Sequence, residues 1–473
     1  MKKLWFIVCV SIPLMAQVKQ LSLYQAIEML KKDNLELKIA KFEAQMKKLE
    51  AESVEGMNYG KADLVINAMR SNDAGNVFGF KLQSREATFA DFGFRDFLGG
   101  VGMALQNSPD FNTFKAMMTN PAMANQLLNT APNDLNYPDA RNHFQTKLSY
   151  MLPLYTGGKL TEYSRISNML YEMSQLNSRQ LLNAKIYETK KAFYDISLVE
   201  NYIYNLRKIM KNISTLENVV RTMQKEGYAQ EIDLLEVQAR KAEAQSMYNQ
   251  AKLNRELAYQ FLSFLLNREV VSIKKLHDVA PMPEVSKTAL EANNLDIQKA
   301  KLGLRITERA FELEKSRFLP EVGAFAEYGS ADNVLWNDFA DKDFYTVGVQ
   351  LSWNLFNGGV DQKNMEKAKL NYLKTRDQVE LAKKGIALKA KKLRTEILSA
   401  DADIRNYRKQ LQFARKVYEN YKTRYKEGMV SISDVLIKQS KELEVLLKLL
   451  TAKNKRNTKV FELDSILNRG GDV

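Results

Sequence analysis

Asp233 and Asp434 are the residues whose type and spacing most suggest chemistry, because the same carboxylate recurs in the same setting 201 positions on. Each lies six residues after a glycine, Gly227 or Gly428, that closes a long tract of helix-forming residues. A carboxylate at the start of a returning helix is favoured by the positive end of the helix dipole. Several such carboxylates gathered around one opening would attract cations. They have no catalytic company. The chain has two histidines, His143 and His277, and one cysteine, Cys9, and shows no histidine, cysteine or carboxylate constellation of the kind that enzymes and metal sites use. Both histidines read as ordinary surface or loop residues. Neither an enzyme nor a resident metal or cofactor is expected.

The carboxylates belong to a duplication. Tyr150-Met151-Leu152-Pro153-Leu154-Tyr155-Thr156-Gly157-Gly158 recurs as Leu351-Ser352-Trp353-Asn354-Leu355-Phe356-Asn357-Gly358-Gly359, and Lys225-Glu226-Gly227 as Lys426-Glu427-Gly428, again at 201. Leu265-Leu266-Asn267 recurs as Ile466-Leu467-Asn468 at the same offset. The duplicated stretch of roughly 120 residues is far longer than a solenoid unit, so the halves are pseudo-twofold copies. Gly157, Gly158, Gly358 and Gly359 stand where a strand must become a helix. Glycine permits the unusual dihedrals of such a turn, and the pairs are read as structural, not as a phosphate cradle.

The elements that must position these residues follow from periodicity. No proline interrupts 154–280 or any position after Pro320, and Gly227 is the only glycine between Lys159 and Leu302. These tracts predict helices over 160–226 and 361–427, each about 100 Å long, followed by a tight turn and a returning helix of some 35 residues. Leu436, Leu443, Leu446 and Leu450 have the spacing of a coiled-coil seam. The matching alanines, Ala239, Ala242, Ala244, Ala251 and Ala258, would let neighbouring helices approach closely.

Ahead of each long helix the period changes to two. Phe144, Thr146, Leu148, Tyr150, Leu152 and Leu154 alternate with Gln145, Lys147, Ser149 and Met151; Tyr345, Val347, Val349, Leu351, Trp353 and Leu355 do the same in the second half. Such alternation over about eleven residues is the mark of a transmembrane β-strand. Trp353, Phe356, Tyr150 and Tyr155 suit an interfacial aromatic belt. Earlier strands, with outward phases Ala62, Leu64, Ile66, Ala68 and Val322, Ala324, Ala326, Tyr328, precede them. The halves are therefore 17–280 and 281–473, each read as helix, strand, loop, strand, long helix hairpin. Their inter-strand loops are unequal: 71–142 is long and extracellular, 330–342 short.

Residues 1–16 read as a signal peptide, with Lys2 and Lys3 before an apolar run too short to cross a bilayer. Val8 precedes Cys9 where lipoprotein processing needs a small residue, so no lipid anchor is expected. The net charge is +14, with lysines spread along helix faces. That suits lipid phosphates or an acidic partner rather than nucleic acid. Past the signal there is no run of 18 apolar residues, so a membrane could be crossed only as a closed β-barrel. Four strands cannot close one, and open edges in lipid are costly, so the chain must oligomerise through its strands.

The duplicated Leu154-Tyr155-Thr156-Gly157-Gly158 and Leu355-Phe356-Asn357-Gly358-Gly359 turns, the paired hairpin turns, and Leu21-Ser22-Leu23-Tyr24-Gln25-Ala26-Ile27 with Asn34-Leu35-Glu36-Leu37 resemble the TolC family of outer-membrane efflux and secretion channels. The resemblance implies an α+β membrane protein of a Gram-negative outer membrane, reaching into the periplasm. Four transmembrane strands per chain would contribute to a trimeric 12-stranded β-barrel continuous with a long periplasmic α-helical barrel. It implies a passive exit duct of a tripartite efflux system, a homotrimer docking on a periplasmic adaptor and an inner-membrane transporter. It places Asp233 and Asp434 at the pore, as rings under threefold symmetry. It matches Tyr425 to a gate tyrosine and puts adaptor contact at 224–232 and 425–433, where Gly227, Tyr228, Gly428 and Met429 lie. The family's gate arginine is replaced here by Val430, which places the ionic links of the gate in question. The outer-membrane arm of a type I protein secretion system is the alternative within the class. A secreted coiled-coil scaffold is the reading from outside it, and it predicts no alternating strands. The sequence leaves open the exported substrate, the pump class, and whether 71–142 plugs the pore.

Overall fold

The computed structural model describes residues 17–276 and 279–468; the signal-peptide expectation, Cys9 and His277 lie outside the described residues. The first repeat runs α1 (Leu23–Asp33), α2 (Leu35–Gly56), β1 (Lys61–Ser71), five short helices α3 (Ala74–Gln83), α4 (Phe94–Gln106), α5 (Phe111–Thr119), α6 (Pro121–Leu128) and α7 (Asn133–Asn136), then β2 (Arg141–Tyr155), α8 (Lys159–Lys225) and α9 (Glu231–Leu266). The second runs α10 (Lys287–Asn293), α11 (Leu295–Ser316), β3 (Glu321–Asp332), β4 (Asp343–Ser352), α12 (Val360–Lys426) and α13 (Ile432–Ile466). The two long helices have 67 residues each and stop where Gly227 and Gly428 follow. Two expectations are corrected. Segment 71–142 is built mostly of helices, three of which start at a side chain, Asp73, Asp110 or Asn120, that caps a backbone N–H. Strand β4 ends at Ser352, so Trp353 and Leu355 lie beyond it.

The chain forms two compact units. One holds the described parts of 1–50, 166–309 and 368–473, and is helical. The other holds 51–165 and 310–367, with the sheet and the short helices.

In the helical unit the duplication is visible in its polar clamps. Asn34 starts α2 by accepting from the Leu37 N–H at 2.9 Å, and its side-chain amide donates to the Leu265 carbonyl at 2.8 Å. Asn294 does the same with the Ile297 N–H at 3.0 Å and the Ile466 carbonyl at 2.8 Å. Each asparagine is buried, caps one helix and satisfies a carbonyl in the last turn of another. Around Asn34 pack Leu21, Ile27, Leu30, Phe193, Ile196 and Leu262; around Asn294 pack Leu290, Leu393, Ile397, Val460, Phe461 and Leu463. A third core lies toward the hairpin tips and contains Leu443 and Leu446, with Leu436 and Leu450 at its margin, as the seam spacing predicts. Ala244 and Ala251 are buried there, but Ala239 and Ala242 are exposed and do not serve close approach within this chain.

The sheet is antiparallel in the order β1-β2-β3-β4, so the β2–β3 pair joins the repeats. Its register aligns the apolar phases of all four strands. Leu64 faces Leu148, Leu148 faces Tyr328 and Tyr328 faces Tyr345; Leu152 faces Ala324, and Ala324 faces Val349. On the opposite face Asp63, Ser149, Glu327 and Thr346 form one row. Lys147 pairs with Glu327 at 2.8 Å on that polar side. Pro153 sits beside a register shift at the end of β2, where a strand tolerates the loss of an N–H.

Candidate functional site

Two regions carry the residues singled out by sequence: the sheet with its strand-to-helix turns, and the hairpin tips. The apolar sheet face is uncovered in the single chain. Leu64 is 66% exposed, Val347 73%, Val349 67% and Leu351 64%. Strands β1 and β4 each have one unpaired side among the described residues. Tyr150 donates to the Tyr59 carbonyl at 2.5 Å and Trp353 to the Phe318 carbonyl at 3.1 Å, so aromatics at this rim have both an apolar body and an anchored polar edge.

Gly157 and Gly158 have φ of 62° and 86°, and Gly358 and Gly359 have 71° and 81°. The pairs differ in their surroundings. A Cβ on Gly157 would lie 2.8 Å from both Leu319 Cβ and the Ser316 carbonyl oxygen, whereas one on Gly158, Gly358 or Gly359 would meet nothing within 4 Å.

At the tips, Gly227 and Gly428 take φ of 81° and 72°. Behind them the Tyr228 N–H returns to the Met223 carbonyl at 2.8 Å and the Met429 N–H to the Arg424 carbonyl at 2.9 Å. This is the six-to-one bond of a Schellman helix end. Tyr228 and Met429 are exposed, while their neighbours Ala229 and Val430 are partly buried against the tip core.

The aspartates face the other way along the chain. Asp233 accepts the Gln230 N–H at 2.8 Å, and Asp434 accepts both the Ser431 N–H at 3.2 Å and its hydroxyl at 2.7 Å. Both are therefore the N3 members of helix-start boxes. The Ser431 hydroxyl, followed by its N–H, holds the Asp434 carboxyl below the usual range. Across the repeats, the Ser433 hydroxyl donates to Glu236 at 2.6 Å, which ties the two returning helices together at this level.

Tyr425 is buried, and its burial followed by the charge of Asp233 pushes its hydroxyl pKa up. Its hydroxyl, the Tyr418 hydroxyl and the Gln439 side-chain amide have no hydrogen-bond partner, although all three side chains are buried. Tyr418 escaped notice in the sequence because its repeat counterpart is Glu217; Gln439 recurs as Gln238, but a lone glutamine on a helix carries no signal of burial. The Ser431 box was findable from its Ser-x-x-Asp spacing.

His143, expected at the surface, is instead buried in β2, its ring stacked on Phe80 with centroids 4.1 Å apart. No group of three or more His, Cys, Asp or Glu among the described residues could hold a metal ion. No described helix is long and apolar enough to cross a membrane.

Residues 287–469, from α10 through α13, match the family described as outer membrane efflux protein. The chain's fold is found in solved channels. The CmeC outer membrane channel of Campylobacter jejuni is 16% identical, with a TM-score of 0.72 over 95% of this chain and 86% of that one. VceC, an outer membrane protein from Vibrio cholerae, is 13% identical, with a TM-score of 0.71 over 95% of each. The MtrE outer membrane channel of Neisseria gonorrhoeae is 14% identical, with a TM-score of 0.71 over 94% of this chain and 88% of that one. No curated protein matches. The fold is that of these solved outer-membrane channels, as the fold class expected from the sequence requires, and the family match over 287–469 agrees with the TolC-family resemblance.

Proposed function

We propose that this chain is one third of a passive exit duct, and that the duct completes a tripartite efflux path. Three copies join β4 of one to β1 of the next, closing a twelve-stranded barrel with its polar face inward. The observation that carries this reading is the sheet itself: an aligned apolar face left bare, and an unpaired side on each edge strand. The bare apolar face is costly in water and the unpaired edges are costly in lipid; a closed barrel pairs the edges and gives the apolar face to lipid.

The long helices extend the duct into the periplasm. Tyr228 and Met429, exposed beside the Schellman turns, offer the surface for a periplasmic adaptor, through which an inner-membrane transporter supplies the cargo and the energy. Asp233 and Asp434 form carboxylate rings at the tips, with Tyr425 beside them as part of the gate. Val430, at the position of the family's gate arginine, packs against the tip core and supplies no ionic link of its own.

Native mass measurement in detergent and planar-bilayer recording test this reading. The expected result is a trimer that conducts ions. A folded monomer, or a trimer with no conductance, overturns it.

A further inference from the structure

The helical insertion 72–140 has no counterpart in the second repeat, where residues 333–342 make the same connection. Its inner end is fastened to one particular face of the sheet. Phe80 of α3 stacks on His143, and His143 belongs to the phase of Gln145, Lys147 and Ser149, the polar face that lines the barrel in the reading above. Val77, Phe80 and Ser84 are buried in this contact.

Ionic links lock it. Glu86 pairs with Arg141 of β2 and, at 2.6 Å, with Lys342, which also meets Asp332 of β3 at 2.9 Å. Arg85 donates to the Asp341 carbonyl at 2.7 Å.

The outer part is different. Between Phe94 and Leu128 only Arg95, Asp96, Asp110 and Lys115 are charged. Leu98, Met103, Leu105 and Phe111, among others, are exposed at 51%, 66%, 52% and 71%. Nothing in the described chain covers this surface. Lipid would be its natural cover had the insertion docked on the apolar sheet face, but it docks on the other one.

Dimensions decide what is left. Twelve strands 4.8 Å apart and tilted by about 40° make a ring about 24 Å across between backbones. A helix with its side chains is about 10–12 Å wide, and three touching cylinders of that width fill a circle of about 22–26 Å. Three insertions held on the inner side of the mouth therefore have no room to stay apart.

Resting on the trimeric reading, we propose that the apolar surface of α4, α5 and α6 is a self-association surface. It binds the same surface of the other two copies and forms a cap over the outward mouth of the duct. The insertion leaves β1, the strand whose free side takes the next copy, so this surface continues the barrel contact.

The sole cysteine, Cys9, lies in 1–16, so single cysteines report cleanly in the mature chain. In membranes of cells expressing the full chain, Met103→Cys and Phe111→Cys should form covalent dimers with a short bis-maleimide. Val347→Cys, on the lipid side and separated from its copies by the barrel, should not. Replacing 94–128 by a Gly-Ser linker should raise single-channel conductance severalfold while the trimer persists. Cross-linking no greater than at Val347, or a deletion with unchanged conductance in a conducting trimer, overturns the cap. Cross-linking at Met103 and Phe111 in a trimer that never conducts would uphold the self-association surface and sink the duct.

Discussion

Single residues show how one carboxylate can serve two ends. Asp434 satisfies Ser431 through one oxygen, Oδ2, and keeps the other for the tip. Changing Asp233 and Asp434 together to Ala should leave a folded trimer whose cation preference falls markedly in bilayer recordings; unchanged selectivity would reduce both to helix-start residues. The pH dependence has a definite sign. The folded Asp434 pKa is depressed, so its capping contribution is complete above the ordinary aspartate value of about 3.9 and is lost as pH falls through the lower folded value. Ser431→Ala should move that loss to higher pH, read as the pH at which selectivity disappears. Glycines supply a second test. Gly227→Ala and Gly428→Ala meet no atoms but force a left-handed residue, costing about 1–2 kcal/mol each. Gly158→Ala should cost the same, whereas Gly157→Ala should cost more, because Leu319 and the Ser316 carbonyl oxygen stand in the way. Thermal melting of the purified trimer separates them, and equal costs at 157 and 158 would contradict the packing.

Elements behave as two copies of one plan. The Asn34 and Asn294 clamps are equivalent, so Asn34→Ala and Asn294→Ala should each destabilise by about 1–3 kcal/mol, the usual cost of leaving a buried backbone group unpaired. Denaturation of the variants checks whether the repeats share the burden equally. The strands make a sharper prediction. Val349 lies on the uncovered apolar face and Gln350 on the opposite one. Val349→Arg should impair assembly by about 2–4 kcal/mol near the midplane, and Gln350→Arg should be tolerated. Equal yields of assembled trimer from both would refute the assignment of faces.

At the scale of the molecule, Glu86 is the hinge between wall and cap. Burial alone would raise its pKa, but Lys342 and then Arg141 outweigh it and hold the carboxyl below the usual range. A depressed folded value means the link is fully present above the ordinary glutamate pKa of about 4.3 and fails as pH drops through the folded value. Asp332 shares Lys342 with Glu86, so one ammonium group joins both carboxylates and loss of the Glu86 link loosens the whole connection. Conductance should therefore rise in strong acid. Glu86→Gln should raise it at neutral pH and blunt the acid step; a pH-independent conductance in the wild type would break this connection.

The sequence by itself determined the duplication, the helix limits and the strand phases, because each is a local or periodic property. Breaker-free tracts end at Gly227 and Gly428, and alternation in 144–154 survives into β2 unchanged. The strands, the long helices and the need to oligomerise followed from these; the full fold class came from the resemblance they carry. Segment 71–142 was legible only as long and proline-bearing; its helices, of 4 to 13 residues, are too short for a periodic stripe to stand out among its prolines and glycines. That His143 is buried, that Val430 and Ala229 turn into the core, and that Asp233 sits near Tyr425 were decided by tertiary structure. Each of these depends on which segment packs against the residue, and the packing segments are distant in sequence: Phe80 lies on α3, far from the strand that carries His143. Periodicity says which side of an element is apolar, and only three-dimensional packing says what comes to cover it.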